Sequence, residues 1–380
     1  MTLYGIAVIP LLIWAYLLLA RGGFWRVAAR SAAVPPTAPA GRVVVLIPAR
    51  NEAATIGTAV RSLARQIFGG VIHLIVIDDG STDCTAEVAL AAARDSGMLE
   101  RFTSLRSAPL PSGWTGKLWA LSQGVESAAR LGADYFLFTD ADILHGPTSV
   151  ASLLAEAVAH DRDLVSHMVQ LSTARPAERL LIPAFVFFFF KLYPPAWIAD
   201  PRHKTAAAAG GCLLIRPAAL ARAGGLVAIR SQIIDDCALA RLVKDSGGRI
   251  FLGLAEDTRS LRSYKSAAEI GAMISRTAFA QLRHSYLLLL ATLLGLFLTY
   301  LLPVILAFSS SDPSLVCLGL GALLLMSICY LPMVRFYRQS PLWSLCLPLI
   351  ASFYMGAVIH SVVQYARGRG GTWKGRVQDA

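Results

Sequence analysis

The chain has 380 residues, of which 55% are hydrophobic and only 16% are charged, and its mean hydropathy is +0.56. A soluble domain carries about 25% charged residues, so this composition excludes a disordered chain and argues against a purely soluble protein. The net charge is +11. Because the basic residues gather beside apolar segments, we predict attraction to anionic lipid headgroups and no nucleic-acid partner.

Four apolar segments approach the length of about 20 residues that a membrane helix needs. The first predicts an uncleaved transmembrane anchor at residues 1–20, and the others lie within 285–366, at 285–308, 315–334 and 342–363. Arginines follow the anchor at 21, 26, 30 and 42. The positive-inside rule therefore places the block that follows the anchor in the cytoplasm.

The last apolar segment leaves two topologies open. If all four segments cross, the basic tail at 367–380 lies outside, against the positive-inside rule. The segment 342–363 is preceded by Pro341 and interrupted by Pro348. Either it re-enters without crossing, or the tail is an exception.

Between the apolar ends, a Pro-rich linker at 21–41 leads into a mixed-polarity block at 42–284. In chain order, the pattern predicts strands at 43–47, 71–77 and 135–139 and helices at 53–63, 82–94, 117–130 and 148–160. Strands that alternate with helices of this length are typical of an α/β domain with a largely parallel sheet.

Carboxylates follow two of these strands, where an α/β sheet binds its ligands. Asp78 and Asp79 come after the strand at 71–77, and Asp140 and Asp142 after the strand at 135–139. Adjacent carboxylates call for hydrogen-bond donors, such as uracil and ribose, and an Asp-x-Asp pair can share a divalent ion. The alternative is that both are ordinary polar turns.

Two further motifs suit an anionic ligand. PARNE at 48–52 ends the first strand, and GWTGK at 113–117 opens a helix whose backbone N–H groups an anion can approach. The alternative for Lys117 is a solvated surface lysine.

Taken together, the motifs resemble those of the family 2 inverting glycosyltransferases with the GT-A fold. PARNE, DDGSTD at 78–83, GWTGK, DAD at 140–142 and IDD at 234–236 occur in that family's order. The narrower resemblance is to hopene-associated membrane glycosyltransferases, through GWTGKLWA, FVFFFFKLYPP, AAAAGGCLLIR and GRGGTWKGR.

The resemblance implies a role for each matching residue. Asp236 is implied as the general base, with Asp235 beside it raising its proton affinity; the alternative is that both cap a helix. Asp140 and Asp142 are implied to bind Mg²⁺ or Mn²⁺. The residues implied to bind the nucleotide-sugar donor are Pro48, Arg50, Glu52, Asp78, Asp79, Lys117, Asp140 and Arg276.

One family motif is incomplete, and this favours a single transfer. Processive members carry Gln-x-x-Arg-Trp, whereas residues 273–277 retain only Arg276. An aromatic run at 185–190, within an interfacial segment near 181–198, is too short to span a membrane and predicts either a core or an interfacial helix. With Trp197, Gly210 and Gly211, it suggests where a lipid acceptor enters.

We therefore expect a multi-pass inner-membrane enzyme with a cytoplasmic GT-A domain. It would transfer one sugar from a nucleotide donor, of the UDP type, to a lipid hydroxyl, in hopanoid or related lipid metabolism. The alternatives are a catalytically silent nucleotide-binding module and a processive polysaccharide synthase. The sugar, the lipid and the oligomeric state stay open at this stage.

Overall fold

A computed structural model of the protein describes residues 3–27 and 40–368. Most of the predicted linker and most of the basic tail lie outside the described residues. The strands are β1 Arg42–Ala49, β2 Val71–Asp78, β3 Phe102–Arg106, β4 Tyr135–Thr139, β5 Ile143–Leu144, β6 Leu164–Gln170, β7 Cys212–Ile215 and β8 Ile250–Ser260.

The helices alternate with strands in the middle of the chain and follow one another at its C-terminal end. They are α1 Leu3–Leu19, α2 Ile56–Ala64, α3 Thr85–Asp95, α4 Gly116–Ala129, α5 Ser149–Ala159, α6 Pro176–Leu192, α7 Pro195–Ala199, α8 Pro217–Arg222, α9 Asp235–Asp245, α10 Ala267–Gln281, α11 Tyr286–Leu296, α12 Leu302–Ser309, α13 Pro313–Phe336 and α14 Leu347–Ala366.

The chain forms two compact units. Within the described residues, the sheet unit comprises 40–172 and 197–262, and the helical unit comprises 3–27, 173–196 and 263–368. The predicted 42–284 block is thus divided, because residues 173–196 and 263–284 pack with the apolar helices.

The sheet unit is built on eight strands in the order β3-β2-β1-β4-β7-β6-β8-β5. The pairs that β1 makes with β2 and β4 are parallel, as are β2 with β3 and β6 with β8, whereas β7 runs antiparallel to β4 and β6. The predicted α/β GT-A-like fold is confirmed, although the sheet is mixed. Strand β1 is buried from residue 43 to residue 49, as a strand covered on both faces must be.

The helical unit contains three stretches that are long and apolar enough to cross a membrane: Tyr286–Ser309, Pro313–Phe336 and Pro341–Ala366. The first includes α11, a π-helical turn at Phe297–Leu301 and α12. Helix α1 has 17 residues and packs against α13. The rings of α6 pack inside this unit, with Phe187 5.1 Å from Tyr330 and Phe188 4.8 Å from Tyr354, measured between ring centroids.

Candidate active site

A pocket in the sheet unit opens at the carboxyl ends of β1 and β4. Six of the predicted site residues line it: Pro48, Lys117, Asp140, Gly210, Asp235 and Asp236. The order of the strands explains why these residues lie close together. Strands β1 and β4 are neighbours in the sheet, and β7, which pairs with β4, begins two residues after Gly210. Asp235 and Asp236 arrive from a different part of the chain, as the first residues of α9.

Lys117 lines this pocket and contacts two of its carboxylates. Its Nζ atom is 3.0 Å from Asp140 Oδ1 and 3.4 Å from Asp235 Oδ2. Burial opposes the ammonium charge, but Asp140, Asp235 and Asp236 outweigh it and raise the pKa of Lys117 above its ordinary value. The lysine is therefore a permanent cation that joins a carboxylate from β4 to a carboxylate from α9.

Asp236 is held in one orientation by two backbone N–H groups. Gly210 N donates to Oδ2 at 2.8 Å, and Cys237 N donates to Oδ1 at 2.7 Å. Burial, and then the neighbouring charge of Asp235, raise the pKa of Asp236 to about 6. A carboxylate with such a pKa is mostly ionised at neutral pH yet more basic than an ordinary aspartate, which suits a general base.

Gly210 allows the close approach at this point. A Cβ atom added there would lie 3.2 Å from Lys117 Nζ and 3.3 Å from the Asp236 carboxylate. The absence of a side chain thus lets the backbone amide contact the carboxylate directly.

Hydrogen bonds tie the loops after β1 and β2 together. Thr82 N donates to the amide oxygen of Asn51 at 2.8 Å, and Asn51 N donates to Ser81 Oγ at 3.0 Å. Asp83 accepts from Ala53 N at 3.2 Å. Asn51 has φ +53°, a left-handed conformation that asparagine tolerates better than most residues. These ties, which sequence reasoning missed, fix the two predicted nucleotide-binding loops as one surface.

The predicted donor-binding residues of these two loops lie on that surface. Glu52 accepts from the Thr55 hydroxyl at 3.0 Å, and Asp78 accepts from Ser81 N at 3.0 Å. Arg50 donates through Nη1 to the backbone oxygen of Asp79 and lies 3.9 Å from the Asp79 carboxylate, which is 5% exposed. The arginine therefore offsets the cost of burying that carboxylate.

Asp142 lies between β4 and β5, where like charges surround it. Burial, followed by the charges of Asp140 and Glu52, raises the pKa of Asp142 to about 6. Ser260 at the end of β8 donates to its carboxylate at 3.3 Å. Across residues 3–27 and 40–368 no group of three or more His, Cys, Asp or Glu residues is arranged to hold a metal ion. Asp140 and Asp142 are thus two carboxylates, suited to a hard divalent cation that takes further oxygens from a ligand.

Three predicted residues lie elsewhere. Trp197 stacks on His203 at a centroid distance of 4.4 Å, and the Gly211 carbonyl accepts from the Thr139 hydroxyl at 2.8 Å, so neither lines the pocket. Arg276 is an exposed residue of α10 in the helical unit. Their predicted roles stay predictions.

Much of the pocket lining is apolar, which the motifs did not indicate. These residues are Leu118, Leu121, Phe138, Leu213, Leu226, Ile229 and Leu239. In the sequence, only the apolar faces of α4 and α9 could have indicated this lining. A helix with such a face is equally typical of a protein core.

Part of the chain is similar to known glycosyltransferases. Residues 44–221 match the family described as Glycosyl transferase family 2. Glucosyl-3-phosphoglycerate synthase of Mycobacterium tuberculosis is 35% identical over 109 residues, covering 28% of this chain and 31% of that protein. The Mycolicibacterium smegmatis enzyme of the same name is 34% identical over 143 residues, covering 37% and 44%. The chain thus spans less than half the length of these curated relatives.

A solved structure extends the likeness in fold. The mannosyltransferase of Pyrobaculum calidifontis, in complex with GDP-Man and Mn²⁺, has a TM-score of 0.57 to this chain at 17% identity, covering 94% of this chain and 99% of that one. At this identity the similarity concerns the fold alone.

Proposed function

We propose that the chain, whose residues 44–221 match the glycosyl transferase family 2, transfers a single sugar from a nucleotide-sugar donor to a lipid hydroxyl, with inversion at the anomeric carbon. One observation carries the proposal. Asp140, on the donor side, and Asp236, the candidate base, line one pocket and are bridged by Lys117 and Asp235. Donor and acceptor can therefore meet there.

On the donor side, the tied loops supply acceptors for the nucleotide. Glu52, Asp78 and Asp79 offer carboxylate oxygens to the N–H and O–H groups of a nucleoside of the UDP class. Lys117 can follow the negative charge as it moves onto the departing diphosphate, because an ammonium in a partly buried site interacts strongly with phosphate oxygens.

Asp140 and Asp142 would hold Mg²⁺ or Mn²⁺ at this place. Their oxygens fit a hard cation. Burial is the main cause of the raised pKa of Asp142, and the charges of Asp140 and Glu52, which add to it, are ones that a cation would offset. When bound, the ion supplies neutralising charge to the diphosphate. The Mn²⁺ in the structure of the Pyrobaculum calidifontis mannosyltransferase supports this proposal.

On the acceptor side, Asp236 takes the proton of the attacking hydroxyl. The hydroxyl oxygen forms its bond to the anomeric carbon from the face opposite the diphosphate, while the bond from that carbon to the diphosphate oxygen breaks. The two backbone N–H donors hold the Asp236 carboxylate in place for this proton transfer. Asp235 raises the proton affinity of Asp236.

The apolar pocket walls support a lipid acceptor. Leu226, Ile229 and Leu239 line the same pocket as Asp236, and apolar walls favour a ligand with little polar surface. The three long apolar helices would keep the chain where such acceptors are found. The sequence resemblance to hopene-associated enzymes favours a hopanoid or related lipid, and the incomplete motif at 273–277 favours a single transfer.

We also propose that the sheet unit is cytoplasmic and that the last apolar stretch re-enters. Arg283 precedes the first apolar stretch and Arg335 ends the second, whereas the turn between them contains Asp312 and no basic residue. The positive-inside rule then places both outer ends of this hairpin in the cytoplasm.

The ends of the third stretch both return to that basic side. Its first turn, Pro341–Cys346, packs against α13 after a connection of residues 337–340. Near its last turn, the Tyr365 ring lies 5.2 Å from Phe279, which in turn lies 5.5 Å from Tyr286, the first residue of α11. A helix that starts and ends on one side does not cross, and the basic tail then obeys the positive-inside rule.

Cysteine labelling tests this topology. In a chain whose six cysteines are replaced by serine, Ser310→Cys should react with an impermeant maleimide on intact spheroplasts. Arg367→Cys should react only after lysis. Labelling of residue 367 in intact spheroplasts would show that the stretch crosses.

Transfer is tested with washed membranes and radiolabelled nucleotide sugars. We expect one labelled product that partitions into organic solvent and is abolished by EDTA, by Asp142→Ala and by Asp236→Asn. Asp95→Asn, at the exposed end of α3, is the matched control and should retain activity. Nucleotide binding without any transfer would instead indicate a binding module, and products that lengthen with time would indicate a polymerase.

A further inference from the structure

A second partly buried lysine lies in the helical unit, at the C-terminal end of α6. Lys191 Nζ donates to the Tyr300 hydroxyl at 2.8 Å. The centroids of the Tyr300 and Phe188 rings lie 4.9 and 5.3 Å from Nζ, within the range of cation–π attraction. The ammonium group therefore lies in an aromatic cage.

The helix opposite is deformed at this point. Tyr300 lies in the π-helical turn Phe297–Leu301, which interrupts an otherwise α-helical apolar stretch. Trp14 of α1 donates to the Thr299 carbonyl at 2.8 Å, and its ring meets that of Tyr300 edge to face at 5.5 Å. Single π-helical turns occur frequently at functional sites. This turn fixes the hydroxyl that accepts from Lys191.

Among the described residues of the helical unit, no anion balances this lysine. These residues include 11 Lys and Arg against 3 Asp and Glu, a net charge of +8. The three acids are engaged elsewhere. Glu178 accepts from Tyr264 N, Glu269 accepts from Lys265 N, and Asp312 accepts from Ser314 N. Across residues 3–27 and 40–368, Lys191 forms no ion pair with a carboxylate.

A second cation lies beside it. Arg21 donates to the carbonyls of Lys191 at 3.1 Å and of Leu192 at 3.3 Å. Burial, and then the charge of Arg21, lower the pKa of Lys191 to about 8. Capping of α6 accounts for Arg21, which contacts the last carbonyls. It does not account for Lys191, whose Nζ atom donates to a tyrosine hydroxyl.

We propose that Lys191, Tyr300 and Arg21 form a binding site for the phosphate group of an anionic lipid. A partly buried ammonium group without a counter-ion is unfavourable in an apolar medium, and a phosphate oxygen would supply the missing charge and accept from the remaining N–H groups. The tyrosine hydroxyl can donate its own proton to the same phosphate. The apolar helices around the site suit the acyl chains of a lipid. A free inorganic anion has no such chains, so these helices favour a lipid as the ligand.

Native mass spectrometry of the full chain in neutral detergent tests the site. Phosphatidylglycerol should form adducts, phosphatidylcholine of the same acyl composition should not, and Lys191→Met should weaken the adducts by about tenfold. Lys265→Met is the matched control, because it removes an exposed lysine of the same unit. Adducts of equal strength in Lys191→Met and the wild type would overturn the proposal. Displacement of the lipid by millimolar inorganic phosphate would overturn its assignment to a lipid.

The unmodified chain provides a measurement that no folding defect can obscure. In nanodiscs containing phosphatidylglycerol, Lys191 should be protected from an amine-reactive reagent at least severalfold relative to nanodiscs of phosphatidylcholine, while Lys265 should react equally in both. Equal reaction of Lys191 in the two lipids would contradict a phosphate contact.

Discussion

Two partly buried lysines, one in each unit, show opposite ways of placing a positive charge in a protein. Lys117 in the sheet unit lies among Asp140, Asp235 and Asp236, which raise its pKa despite burial. Lys191 in the helical unit lies between aromatic rings and beside Arg21, and its pKa falls to about 8. Lys117 has carboxylate counter-ions beside it, whereas Lys191 has none among the described residues.

The same contrast extends to whole units. The described residues of the sheet unit include 20 Lys and Arg against 20 Asp and Glu, while those of the helical unit include 11 against 3. Local pairing of charges in the sheet unit suits a site that handles charged intermediates. The excess in the helical unit suits contact with an anionic surface.

The strongest test of the paired site is Asp236→Asn. We expect transfer to fall by about 10³-fold, because general-base catalysis typically contributes 10² to 10⁴. Donor binding, measured by calorimetry with UDP and Mn²⁺, should change little. Asp235→Asn should cost less, since its carboxylate contacts Lys117 and not the attacking hydroxyl. Equal losses in the two variants would remove the assignment of Asp236 as the base.

Removal of the Lys117 cation should have the next largest effect. In Lys117→Gln the carboxylates of Asp140, Asp235 and Asp236 repel one another without compensation, and transfer should fall by about 10²-fold. Stability should fall by about 1–2 kcal/mol, an amount reduced for solvent screening because Asp140 is 39% exposed.

Thermal unfolding in neutral detergent checks this prediction. Lys204→Gln, which removes an exposed lysine of the sheet unit, should leave both transfer and melting temperature unchanged. The contrast between the units would be wrong if Lys191→Met lowered the melting temperature as much as Lys117→Gln, since Lys191 forms no ion pair with a carboxylate of residues 3–27 or 40–368.

The pH dependence of transfer should report the raised pKa of Asp236. Only the ionised carboxylate accepts a proton, so the rate should fall about tenfold per pH unit below about 6 and level off above it. In Asp235→Asn the neighbouring charge that raises the pKa is removed, and the falling limb should move to lower pH. A profile that is flat from pH 5 to 8 would exclude Asp236 as the limiting base.

Gly210→Ala should give the smallest effect. The added Cβ would lie 3.2 Å from Lys117 Nζ and 3.3 Å from the Asp236 carboxylate, so both groups must shift by a few tenths of an ångström. We expect kcat/KM to fall by about fivefold, through misplacement of the base. Gly69→Ala is the matched control, because its Cβ would meet no atom within 4 Å.

Local sequence patterns were sufficient to predict part of the site. Apolar runs predicted β1, β2 and β4, and the carboxylates that follow them do lie at strand ends. Contacts between segments that are distant in the sequence could not be predicted from these local patterns. The hydrogen bond from Ser260 to the Asp142 carboxylate joins residues 118 positions apart in the sequence. The neighbouring strand β5 has only two residues.

The aromatic run of α6 shows why periodicity has limits. A short apolar helix has the same pattern whether it lies in a core or at an interface. The structure places Phe187 and Phe188 against Tyr330 and Tyr354 of two apolar helices. That placement depends on the helical unit as a whole.

The most direct test of the central claim is the anomalous signal of Mn²⁺ in a structure of the full chain with UDP. One peak should lie at the carboxylates of Asp140 and Asp142, with the diphosphate in the pocket that also contains Lys117 and Asp236. A peak away from these carboxylates, or a diphosphate bound outside that pocket, would contradict a single site for donor and base.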